Sequence, residues 1–236
     1  MINLIKNEFY KIKYSKIILS YIFYILLLIL MNKYSDKNIK ELSFNLIPFI
    51  GIMNCLFFGG TINSEIEKGT FRYYLTKPIS RNKVYLSKIL ASFIYNYVST
   101  LLTLLFTTII MFKIDLIYYS KFLTYTIPLY LLSSIVIYLS NKLKSTSFTI
   151  CLGVLLFSFS LLLFQILLEI HFKIVKFTFL PYLDFTLFDN KDSLNSLNQE
   201  FNIYISLKKG VLINIIYTFI FYILGCISFK RKDIKS

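Results

Sequence analysis

ILASFIYNYVSTLLTLLFTTIIMF, residues 89–112, holds 24 consecutive residues without a charged side chain, bounded by Lys88 and Lys113. As a helix it would be ~36 Å long. A bilayer hydrocarbon core is about 30 Å thick and takes about 20 helical residues. The stretch therefore reads as a transmembrane helix, and the same signature recurs on both sides of it. Lys16 to Lys33 encloses 16 uncharged residues, Glu41 to Glu65 encloses 23, and Lys121 to Lys142 encloses 20. Lys144 to Glu169 encloses 24 and Lys209 to Lys230 encloses 20. The first run is short, but lysines at both ends can snorkel and local thinning can absorb the difference. The expected fold is all-α: a polytopic membrane protein of one domain over 1–236. Six spans are placed near 16–32, 43–63, 90–112, 122–141, 147–168 and 211–229.

Composition agrees. Of 236 residues, 56% are hydrophobic and 16% charged, against about 25% charged in an ordinary soluble domain. Disorder is excluded by the wealth of Leu, Ile and Phe. A disulfide scaffold is excluded by a cysteine count of three. Cys55, Cys151 and Cys226 fall inside expected helices and read as small apolar residues. No cleavable signal sequence is evident, because no small-residue cleavage site follows the first apolar run.

Lysine and arginine set the orientation. With the N-terminus cytoplasmic, the inward segments carry 16 of the 26 Lys and Arg and the outward segments carry 10. Both termini are therefore expected inside. The net charge of +14 is then mainly a topology signal. No nucleic-acid partner is expected, since that needs a folded basic surface outside the membrane.

Several chemistries are missing. The seven glycines form no phosphate loop. The only histidine is His171, so no histidine-based metal site is expected. No charged residue falls mid-span, where ion-coupled transporters usually place one. If the chain drives transport, its energy is expected from a partner.

Three segments carry a pattern. In 2–15, Ile2, Ile5, Phe9 and Ile12 recur at helical spacing, giving a basic amphipathic helix suited to the inner membrane surface; the plain alternative is a basic lead-in. In 64–82, Ser64 and Glu67 have capping-box spacing that would restart a helix. Gly69 can bend it, Phe71, Tyr74 and Leu75 give a short apolar face, and Pro78 sets a turn. Ser80 can cap a helix from Arg81. This is either a helix held below the membrane for docking or a solvated connector. In 169–210, the aromatic portion before Pro181 reads as a re-entrant or interfacial helix, and 189–202 as an exposed loop. Phe179, Pro181 and Tyr182 are candidates for an outer gate or, more plainly, an interfacial cap. In the second span, Asn45, Pro48, Gly51, Asn54, Gly59 and Gly60 mark close packing or a water-lined face.

The basic NLIKNEFYKIKYSK segment, the FFGGTINSEIEKGTFRYYLTKPISRNKVYLSK run, the LPYLDF stretch and the FKRKDI ending together resemble the permease subunit of bacterial ABC transporters of the ABC-2 type. The resemblance implies a permease with no catalytic, cofactor or metal site of its own. It implies ATP and Mg in a separate ATP-binding subunit, a second permease copy or sibling as dimer partner, and surrounding membrane lipids. It places a coupling helix on the inner loop, carried by Glu65, Glu67, Gly69, Thr70, Phe71, Arg72, Pro78 and Arg81. Residues Ile5, Phe9 and Ile12 match its interfacial helix. The implied location is the bacterial cytoplasmic membrane, and the implied activity is export of an amphipathic peptide, lipid or drug. Rival readings are a non-transporting sensor or immunity protein and an ion-coupled secondary transporter.

Overall fold

The computed structural model describes residues 1–12, 14–34, 43–70, 80–111, 115–170, 178–185, 188, 191–200 and 204–231. Regular structure among them is helical: α1 (Ile2–Ile12), α2 (Tyr14–Tyr34), α3 (Ile47–Phe58), α4 (Thr61–Glu67), α5 (Arg81–Met111), α6 (Leu116–Tyr125), α7 (Ile127–Lys142), α8 (Thr146–Ser158), α9 (Ser160–Glu169), α10 (Lys191–Glu200) and α11 (Leu207–Lys230), with a 3-10 turn at Leu180–Tyr182. Among the described residues, four continuous stretches are long and apolar enough to cross a bilayer: Ser43–Glu67, Arg81–Ile110, Leu116–Lys142 and Leu207–Lys230. A fifth crossing is available to α8 and α9 together, and Ser15–Leu27 in α2 forms a shorter apolar helix.

The fifth expected span is not straight. α8 and α9 meet at 74°. Ser158 and Ser160 flank Phe159, which leaves the helical region at φ −114°, and serine-containing breaks of this kind are a recognised source of kinks. The bend turns Phe164 and Leu168 inward, and α9 packs against the 3-10 turn. Residues 191–200 likewise form α10 rather than a loop. Leu194 anchors it to the core, and Asn198 closes its end by accepting from the Ile205 N–H at 2.9 Å.

α7 is the hub, with contacts to α3, α4, α5, α8 and α11. Eleven of its residues are buried, among them Ser133, Ser134 and Ser140. In lipid, helix association relies on close packing and interhelical hydrogen bonds, because lipid tails are as apolar as leucine. Small residues supply the packing. A Cβ at Gly51 would lie 2.6 Å from the Phe157 ring, and one at Gly153 would lie 2.8 Å from Val136. Asn54 and Asn96 supply the bonds. Asn54 donates to Asn96 Oδ1 at 2.6 Å, while Asn96 donates to the Leu129 carbonyl at 3.0 Å and to Ser133 Oγ at 2.9 Å. Of the two readings of the second span, close packing describes Gly51 and Asn54.

Candidate coupling site

α4 restarts the second span after Gly59 and Gly60, four residues earlier than the Ser64 capping box would place it. Ser64 Oγ instead donates to the Thr61 carbonyl, and Glu67 Oε1 accepts from Thr146 Oγ1 at 3.0 Å. The capping box does not form because Ser64 already lies inside the helix. Gly69 ends it with φ 68°, the left-handed conformation that glycine adopts without penalty at a helix C-terminus. The Gly69 N–H donates to the Ile66 carbonyl at 3.1 Å, and Thr70 Oγ1 donates to the Glu65 carbonyl at 3.3 Å.

Directly behind this terminus lies a four-charge node in which Glu8, Glu65 and Lys88 are buried and Lys11 closes the exposed rim. Lys88 of α5, 0% exposed, donates from Nζ to Glu65 Oε1 at 2.6 Å. The same ammonium reaches Glu8 Oε1 and Oε2 at 3.2 and 3.1 Å. Lys11 pairs with Glu8 at 2.7 Å and also with Glu65. Two carboxylates and two ammoniums make the node neutral, and charges this deep are sustained only by such pairing. Burial raises the Glu8 carboxyl, but Lys88 and Lys11 outweigh it and hold the group below its ordinary value. Burial lowers the Lys11 ammonium, and Glu8 and Glu65 more than reverse this, leaving it raised. Glu65 Oε2 is buried without a hydrogen-bond partner among the described residues.

The node corrects the place expected for Glu65. It is 3% exposed and faces α1 and α5 rather than an open docking face. The other positions on the loop divide. Glu67 holds the start of α8 through Thr146. Arg81 opens α5 and donates to the Lys230 carbonyl at the end of α11 at 2.8 Å. Gly69 and Thr70 form the helix stop. Phe71, Arg72 and Pro78 lie outside the described residues.

α1 is also positioned differently from a helix lying on lipid alone. Ile5, Phe9 and Ile12 pack on the protein, against Phe58, Ala91 and Tyr95. Phe9 meets Phe58 edge-on at 6.2 Å. Glu8, Lys11 and Lys88 carry the node and escaped the sequence reading. The available signal was Glu8, which sits three residues after Ile5 and four before Ile12, on the same apolar stripe.

At the opposite end, Pro181 and Tyr182 are buried and Phe179 is half-buried. Phe179 packs on Tyr217 at 5.2 Å and on Phe221 at 5.7 Å. The Tyr182 carbonyl accepts from Asn214 Nδ2 at 2.8 Å. The turn is thereby fastened to α11.

The family model described as "ABC-2 family transporter protein" matches residues 28–234. No curated protein matches the chain.

Proposed function

The chain belongs to the ABC-2 family of transporter proteins, and we propose that it serves as the membrane-spanning permease subunit of an ATP-driven exporter. Hydrolysis of ATP, with its Mg, takes place in a separate ATP-binding subunit, and no bond chemistry is assigned to this chain. A second permease, identical or a sibling, completes the pathway. α2 provides the sixth crossing, and both termini face the cytoplasm of a bacterial cell. The cargo is an amphipathic peptide, lipid or drug.

One observation carries the reading: the segment between α4 and α5 is anchored at both ends to several helices at once. Glu67 joins its start to α8, Arg81 joins its end to α11, and the buried node ties α4 and α5 to α1. A partner that moves residues 68–80 would therefore move a connected set of helices rather than a slack loop. Closure of the two ATP-binding subunits would draw on that segment, and rigid-body shifts of the packed helices would switch the cavity between two permeases. Exposed Glu67 and half-buried Arg81 are the handles of this coupling.

The test is to reconstitute the chain with its ATP-binding subunit and compare ATP turnover with cargo movement. Glu67→Lys and Arg81→Glu are expected to leave ATP turnover and helix content in place while cargo movement falls. Normally coupled transport in both variants would remove the coupling role from this segment.

A further inference from the structure

A groove of about 450 Å³ runs between α5, α7 and α11, separate from the charge node. Leu86, Leu90 and Phe93 of α5 form one wall, Phe219 and Tyr222 of α11 the other, and Ile127 and Tyr130 of α7 the floor. Its few polar groups include Thr218, whose hydroxyl is already used in donating to the Asn214 carbonyl at 2.7 Å. The interior therefore offers almost nothing to a polar ligand. Each wall covers seven residue steps, roughly 10 Å of helix, or about two-thirds of one leaflet's hydrocarbon depth.

The mouth differs from the interior. Lys83 lies one turn before Leu86 on the same stripe of α5, and Lys230 lies two turns beyond Tyr222 on the groove-lining stripe of α11. The Arg81–Lys230 hydrogen bond fastens these two helix ends together, so both lysines stand at one end of the groove. Lys83, Lys230 and Arg231 are exposed, and their side chains have no ion-pair partner among the described residues. An apolar slot of about two-thirds of a leaflet's depth, closed by cations, calls for a ligand with an acyl chain and an anionic head.

We propose that this groove is a binding site for one anionic phospholipid, its acyl chain along Leu90 and Phe219 and its phosphate between Lys83 and Lys230. The site rests on α5 and α11 spanning a bilayer, and not on pairing with an ATP-binding subunit. Two lysines near a lipid headgroup account for a preference of about 30-fold for an anionic over a zwitterionic lipid.

Native mass spectrometry of the full chain, released from a mild detergent and titrated with phosphatidylglycerol or phosphatidylcholine, tests this. The wild type is expected to retain one phosphatidylglycerol with roughly that preference. The double variant Lys83→Gln/Lys230→Gln, altered only at exposed positions, is expected to lose most of that preference, Arg231 alone remaining at the mouth. Thr218→Phe, which fills the groove, is expected to lose the retained lipid of either kind. Inorganic phosphate at matched concentration is expected not to compete, because the acyl chain supplies most of the contact. An undiminished preference in the double variant would overturn the proposal. So would lipid retention in the filled variant, or a cross-linked dimer between Leu90→Cys and Phe219→Cys chains, which would give the groove to a second copy. None of these readouts depends on ATP or cargo, so a failure here is distinct from a failure of the transporter reading.

Discussion

Replacing Lys88 with methionine tests the buried node most sharply. The substitution keeps an unbranched side chain, one atom shorter, and removes its charge. Lys88 is 0% exposed and touches three carboxylate oxygens, on Glu8 and Glu65, at 2.6 to 3.2 Å. Without it, two buried carboxylates share Lys11 alone, and the node carries one net negative charge. Stranding a buried charge in this way costs about 3–5 kcal/mol. At about 2–4 °C per kcal/mol for a chain of this size, the expected fall in melting temperature is on the order of 10 °C. The thiol of Cys55 is buried at 0% exposure, so in a background with Cys151→Ala and Cys226→Ala, which removes the two accessible thiols, a thiol-reactive dye that reports its release during heating makes a direct assay. A second feature separates electrostatics from lost packing. Loss of Lys88 removes the larger Coulombic attraction that holds the Glu8 carboxyl down against its burial, so that carboxyl rises and the folded variant binds more protons than the folded wild type. Its stability deficit should therefore shrink as the pH falls through that raised value. Glu65→Gln added to Lys88→Met restores neutrality and should recover much of the loss. A deficit within about 0.5 kcal/mol, the range of ordinary surface changes, would refute the reasoning, as would a deficit indifferent to pH.

Wild-type melting temperature should be nearly flat between about pH 5 and 9. The contribution of Glu8, whose folded value is depressed, is complete above about 4.3 and is lost as pH falls through the folded value. That of Lys11, whose value is raised, is complete below about 10.4 and is lost at higher pH. Asn96→Leu should cost about 1 kcal/mol, since it removes bonds to Asn54, Leu129 and Ser133 within the bundle; thermal unfolding would measure it. Gly153→Val should cost about 1–3 kcal/mol by overpacking, because its Cβ would stand 2.8 Å from Val136. Adding Val136→Ala should return part of that.

Four of the six expected spans were legible as continuous helices, and a fifth as a bent pair, because a bilayer imposes a length and forbids charge, and both rules act locally along the chain. Gly69 was legible for the same reason, as a helix stop reflects the conformational preference of one residue. The node was not. Glu8 and Lys88 lie 80 positions apart, and each alone resembles an ordinary charge on a basic lead-in or at a helix start. Only the packing of α1 against α5 brings them together. Ile5, Phe9 and Ile12 were correctly grouped on one face, yet an apolar stripe does not say whether lipid or protein covers it. The break at Phe159 was hidden because the flanking Ser158 and Ser160 permit a kink without requiring one, and α9 finds its packing on the Leu180–Tyr182 turn only in the tertiary fold. α10 was hidden for a related reason, since its polar sequence becomes helical only with Leu194 seated on the core.

The central claim is that the segment between α4 and α5 receives an ATP-binding subunit. Co-expression of the tagged chain with its candidate ATP-binding subunit, followed by purification in mild detergent, tests it most directly. The account predicts a stoichiometric ATP-binding subunit on the permease, lost when residues 68–80 are replaced by a Gly-Ser linker of equal length while the melting temperature is retained. Absence of any ATP-binding subunit from the wild type, or its full retention on the linker variant, would contradict the account.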